Sequence, residues 1–114
     1  MNKIGKQTIL FKNKPCFLGG YAVAGPKEGQ GNFGKYFQTV LDDDLFGENS
    51  YEAAESKIMQ TAFYGAVDDA GLRNVDVDVF VAGDLMNQIV SSSFAARSFD
   101  VPYLGMFGAC STMA

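Results

Sequence analysis

The sequence predicts an α/β layered fold with a mixed or mostly parallel sheet. Three observations predict it. Short apolar runs bounded by Gly, Pro and Asn alternate with longer stretches of helical period, in the order strand, strand, long connection, helix, strand, helix, strand. A strand, a helix and a second strand in succession favour parallel pairing. Finally, 114 residues, 47% of them apolar, suit one folded domain over 1–114 rather than a disordered chain.

Gln7 to Phe11 reads as a first strand and Cys16 to Ala24 as a second, separated by the polar turn Lys12-Asn13-Lys14-Pro15. The apolar density of the second strand predicts burial on both faces. It also follows lysines and ends in Ala22-Val23-Ala24, as a signal peptide would. Two glycines interrupt its apolar run, however, and the strand reading is preferred. Gly25 to Asn49 is a long connection carrying Gly25, Gly29, Gly31, Gly34 and Gly47. Structureless loops of this length are uncommon in compact domains and usually functional. No Gly-Lys-Ser/Thr is present, so Gly29, Gly31 and Gly34 make a weak phosphate cradle at best. Asp42, Asp43 and Asp44 form a solvated acidic turn, because adjacent carboxylates on an extended chain cannot converge on one metal.

Ser50 to Ala70 is the strongest helix. Ser50 is placed to cap it, Glu52 and Glu55 sit near its positive end, and Gly71 stops it. Ala54, Ile58, Thr61, Ala62 and Val67 trace its apolar stripe. Asp78 to Ala82 is a buried strand ended by Gly83. The turn Asp84 to Gln88 leads into a helix over Ile89 to Phe99, in which Ser91, Ser92 and Ser93 permit close backbone approach. Asp100-Val101-Pro102 returns the chain to a last buried strand, Tyr103 to Phe107.

Gly108 and Ala109 then turn the chain into Cys110, with Ser111 and Thr112 placed to cap a following helix. A cysteine between a strand end and a helix start meets backbone N–H groups and the positive end of a helix dipole, both of which favour a thiolate. Free cysteines are also among the most buried residue types, and a small buried residue in a crowded turn is the competing reading of Cys110. Asp84 is equally a site carboxylate or a cap for the helix that follows it.

A net charge of −4 argues against a general nucleic-acid binder. The charge is uneven: six lysines against Glu28 through Lys35, then twelve acids against Lys57, Arg73 and Arg97. The basic leading segment fits either an anionic lipid or ligand, or lysines that protect an edge strand from aggregation. No run approaches the roughly 18 apolar residues a membrane span needs. With only Cys16 and Cys110, no disulfide framework exists, and a reduced intracellular setting is expected.

Val81-Ala82-Gly83-Asp84, then Ala96-Arg97, then Val101-Pro102, then Gly108-Ala109-Cys110-Ser111 after a strand form a pattern that resembles the thiolase and ketoacyl-synthase superfamily. The resemblance implies the N-terminal portion of an αβαβα layered, thiolase-like fold, with Cys110 at the position of the acyl-carrying nucleophile. The match sharpens along nearly the whole chain. Gly25 to Gly31, Asp42-Asp43, Gly47 to Ser50, Ala54-Glu55, Ala82 to Gln88, Ser91 to Arg97 and Gly108 to Met113 resemble, in the same order, the stage V sporulation protein AD family.

That resemblance implies a dipicolinic-acid-binding component of the spore channel, acting in sporulation and germination without being an enzyme. It implies the developing spore as location, peripheral to the inner spore membrane, with membrane-embedded proteins of the same complex as partners. Family members are several-fold longer, so an N-terminal half-domain is expected, whose exposed faces receive the missing half or drive self-association. No catalytic residue is expected to be active: Cys110 is the nucleophile equivalent, but the chain contains no histidine. The alternative is a thiolase- or ketoacyl-synthase-type acyltransferase fragment.

Dipicolinate is a planar dianion often met with calcium. Its expected contacts are Cys110, Asp84, Asn87, Ser92, Ser93 and Ser111, with Met106 and Phe107 as apolar wall. Asp84 is awkward beside an anion; it would act through calcium, protonated, or by orienting Asn87 and Arg97. No cofactor and no protein-held metal are expected.

Overall fold

The computed structural model describes residues 2–112. Its centre is a pair of parallel strands, β5 (Phe80–Ala82) and β6 (Tyr103–Gly105), joined through helix α3 (Val90–Ala96) and packed against the long helix α2 (Tyr51–Asp69). The register pairs Phe80 with Tyr103, Val81 with Leu104 and Ala82 with Gly105. Because side chains alternate across a strand, Phe80 and Tyr103 share one face and Val81 and Leu104 the other. The first face meets the core, whose buried members are Phe63 of α2, Ala95 and Ala96 of α3, and Phe99. The Phe63 and Phe99 rings stack with centroids 3.9 Å apart, and Phe80 meets both edge-on at 5.3 and 5.0 Å. Offset and edge-to-face pairs of this kind align ring quadrupoles favourably and fix the two helices against the strands. Val81 and Leu104 are exposed.

Helix α2 starts and stops where its sequence directs. The Ser50 hydroxyl accepts the Ala53 N–H at 3.2 Å, satisfying one of the orphan donors of the first turn. Gly71 follows the helix at φ 66°, a conformation that costs glycine nothing.

Upstream lie two smaller sheets. β1 (Asn2–Ile4) and β2 (Thr8–Leu10) form an antiparallel hairpin turned at Gly5. β3 (Val23–Ala24) pairs in parallel with β4 (Thr39–Val40) across the short helix α1 (Pro26–Gly29) and a 3₁₀ turn over Gly34–Tyr36. The Gly20 N–H donates to Asp69 at 2.9 Å, and Tyr21 and Thr39 share a hydroxyl bond of 2.7 Å, so this layer is tied to the end of α2.

The molecule is thus mixed α/β, but three expectations are corrected. Among the described residues six strands form three two-stranded sheets rather than one mixed sheet. The segment from Cys16 to Ala24 is not a buried strand: only Val23–Ala24 pairs, and Phe17 and Leu18 are exposed. Apolar content predicted burial, but an extended segment without strand partners has nothing to bury against. The strands expected over Asp78 to Ala82 and Tyr103 to Phe107 are shorter than predicted and covered on one face only. The long connection is also better ordered than a loop, since it holds α1 and β4. Gly34 packs against the backbone of Gly29, leaving no room for a Cβ, so these glycines serve close packing in this turn.

Candidate functional site

Parallel pairing brings the carboxyl ends of β5 and β6 to one edge, where ligands commonly sit in open α/β sheets. β5 continues through Gly83 into Asp84. β6 continues through Met106 to a 3₁₀ turn, Ala109–Ser111, that carries Cys110. The Met106 N–H donates to the Ala82 carbonyl at 2.9 Å, extending the pairing past the end of β6. A Cβ on Gly83 would stand 2.6 Å from Thr112 Cγ2, so the cysteine turn rests directly on the residue before Asp84.

Asp84 is only 4% exposed. Its Oδ2 accepts both the backbone N–H and the hydroxyl of Ser92, each at 2.8 Å. Ser92 Oγ lies 2.6 Å from Tyr103 Oη. Since the single hydroxyl hydrogen of Ser92 is committed to the carboxylate, Tyr103 is the donor in that bond. The relay Tyr103–Ser92–Asp84 therefore links β6, α3 and the end of β5 through one buried serine. Asp84 Oδ1 is buried with no hydrogen-bond partner among the described residues. The capping reading of Asp84 is upheld, because Ser92 is the third residue of α3 and its N–H is one a helix cannot satisfy internally.

The remaining predicted residues scatter. Asn87 donates to Glu52 Oε1 at 3.1 Å, toward α2 and away from Asp84. Ser93 spends its hydroxyl on the Val90 carbonyl at 2.9 Å, within its own helix. Arg97 lies over the Phe94 ring, 5.7 Å from its centroid, so Asp84 orients neither Asn87 nor Arg97. Ser111 donates back to the Gly108 carbonyl at 2.6 Å, while Thr112 Oγ1 accepts the Gly108 N–H at 3.2 Å. These hydroxyls close the Gly108 turn, and the helix they were expected to cap falls outside the described residues. Cys110 is free and exposed, which corrects the reading of a buried residue in a crowded turn. Cys110 lies within a 3₁₀ turn, and the helix that the dipole argument assumed after it falls outside the described residues. Met106 and Phe107 are half exposed beside it.

Sequence reasoning missed two ties that hold the Asp84 loop. Leu85 N–H donates to Glu55 Oε1 at 3.2 Å, and Glu52 receives Asn87. The Glu52 carboxyl is held below its ordinary value, first by its own backbone N–H at the helix start, then by Ser50 and Asn87. A cleft of about 530 Å³ opens between α2 and α3, with Glu52, Ser56, Lys57, Ser91 and Phe94 among its lining residues. It includes neither Asp84 nor Cys110. Asp43 accepts the Leu45 N–H at 2.7 Å in a turn in which Asp42, Asp43 and Asp44 are exposed. Among the described residues no three His, Cys, Asp or Glu side chains gather as metal ligands, and no helix is long and apolar enough to cross a membrane.

Comparison of the sequence with known proteins matches the chain to a family. The sequence model described as "Stage V sporulation protein AD" matches residues 5–114. The curated stage V sporulation protein AD of Bacillus subtilis (strain 168) is 40% identical over 113 residues, covering 98% of this chain and 33% of that protein. The chain thus spans about a third of the length of the curated relative it matches. The chain belongs to the stage V sporulation protein AD family.

Proposed function

We propose that this chain is the N-terminal, thiolase-like portion of a dipicolinic-acid-binding protein of the spore channel. In this reading it acts in sporulation and germination, at the periphery of the inner spore membrane of the developing spore, beside membrane-embedded proteins of the same complex. The observation that carries the ligand reading is the parallel β5–β6 register, with the Asp84 loop and the Cys110 turn at one strand edge and Thr112 seated on Gly83. The binding group is Cys110, Ser111 and the Asp84–Ser92 pair, with Met106 and Phe107 as wall. Asn87 and Ser93 join only by exchanging their present partners. The exposed Val81–Leu104 face supports an N-terminal half that receives the rest of a longer protein.

Asp84 contributes by holding α3 in place more than by touching the dianion. Calcium, if it accompanies dipicolinate, arrives with the ligand. We read Cys110 as a binding residue; this portion by itself brings no histidine to serve as the general base that acyl transfer needs. Incubating the chain with short acyl-CoA substrates is expected to give no turnover; measured turnover through Cys110 would favour the acyltransferase reading.

Titrating dipicolinate by calorimetry into a full-length family protein carrying this portion tests the proposal. Cys110→Phe should abolish binding and Cys110→Ser should weaken it only partly. Unchanged affinity in both variants would put the pocket elsewhere. The chain alone should bind weakly or not at all.

A further inference from the structure

Residues 2–18 contain Lys3, Lys6, Lys12 and Lys14 and no acid, on a chain whose net charge is −4. Every residue from 2 to 20 is exposed. Among them are the large apolar side chains of Ile4, Ile9, Leu10, Phe11, Phe17 and Leu18. The hairpin β1–β2 and the extended strap that follows it thus present lysines interleaved with apolar groups, while the strap is anchored to the body through Gly20 and Asp69. We propose that this arm is a docking surface for an anionic lipid bilayer, lying in the headgroup region without crossing it.

The charge pattern supplies the complementarity. Cations near an anionic leaflet are attracted, whereas the acidic remainder of the chain is repelled, so the molecule approaches arm first. Lysine stems run along apolar surface while their ammonium groups stay at headgroup level, which suits side chains such as Phe11 and Phe17 placed within a few residues of Lys12 and Lys14. A protein partner fits less well, because protein interfaces are depleted in lysine and this arm carries four. The inference rests on the membrane-peripheral placement proposed above, but not on the ligand reading.

The test is flotation of a full-length family protein carrying this portion, without dipicolinate, with vesicles of phosphatidylcholine mixed with phosphatidylglycerol, and with vesicles of phosphatidylcholine alone. Binding is expected only to the anionic vesicles and should fall as salt rises. Lys12→Gln with Lys14→Gln should weaken partitioning roughly 25-fold, about fivefold for each cation removed from the surface. Phe17→Ser with Leu18→Ser should weaken it by about tenfold or more. All four side chains are exposed, so circular dichroism should show α2 unchanged in each variant. Equal binding to neutral vesicles, or full binding by the lysine variant, would overturn the proposal. So would an absence of vesicle binding together with an oligomer that these variants dissociate, since the arm would then be covered by protein. Because the ligand is left out of this assay, its failure leaves the dipicolinate titration to stand or fall separately.

Discussion

Removing the Ser92 hydroxyl is the sharpest test of how the strand edge is held. Ser92→Ala deletes the hydroxyl bond to Asp84 at 2.8 Å and strips Tyr103 of its acceptor at 2.6 Å, but leaves the backbone N–H to Asp84 intact. A hydrogen bond to a charged group contributes about 1.5–3 kcal/mol, and a neutral one about 1 kcal/mol. Tyr103 is only half buried and recovers part of its loss from water, so Ser92→Ala should cost about 2–3 kcal/mol. Tyr103→Phe should cost about 1 kcal/mol. Since Ser92→Ala already breaks the tyrosine bond, the double variant should fall short of additivity by about 1 kcal/mol. Ser93→Ala is the control, because its hydroxyl serves only the Val90 carbonyl; it should change stability by less than about 0.5 kcal/mol. Urea unfolding measures all four, and amide exchange at Ser92 gives a local readout that Asp84→Ala should accelerate. If Ser92→Ala costs no more than Ser93→Ala, or if the cycle is additive, the relay does not hold the edge.

The remaining expectations concern the core, the loop and the open faces. Phe99→Ala removes the ring stacked on Phe63 and should cost about 3–5 kcal/mol in chemical denaturation; a loss under about 1 kcal/mol would contradict the aromatic core described. Glu52 has its carboxyl lowered in the folded chain, so its tie to Asn87 is complete above pH 4.5 and is lost as pH falls through the lower folded value. The Asn87 side-chain amide resonance should titrate with a midpoint below 4.5, and a midpoint at or above it would refute the tie. With Val81, Leu104 and Phe94 all exposed, the isolated chain should self-associate in light scattering, and a monomer with a sharp thermal transition would count against the half-domain reading.

Helix α2 was legible because its signals are local: a serine cap, a periodic stripe and a terminal glycine all lie within one segment. The β5–α3–β6 order was legible for the same reason. What could not be read was pairing at a distance. Glu55 meets Leu85 and Glu52 meets Asn87 across 30 and 35 positions, and neither leaves a mark in local pattern. The two-residue strands β3 and β4 are too short to show any period. The segment from Cys16 to Gly20 misled because composition records how apolar a stretch is, not whether anything covers it. The bend at Ile89, where a β-branched residue takes φ 56°, was equally hidden, since sequence favours glycine or asparagine there.

The aromatic core has a consequence for the order in which the chain folds. Its members and the hydrophobic side chains packed on them all fall between Met59 and Tyr103, a short continuous stretch of chain. Loops closed within such a stretch are inexpensive in entropy, and contacts of modest sequence separation form early. During synthesis this stretch can collapse around Phe63, Phe80 and Phe99 as soon as Tyr103 has left the ribosome, without waiting for any later segment. The hairpin ahead of it, two short strands without a buried face, is the last part to settle and the first to open. A nascent chain of this family therefore carries a formed nucleus with a loose leading arm, and limited proteolysis of arrested chains should trim the arm while sparing α2.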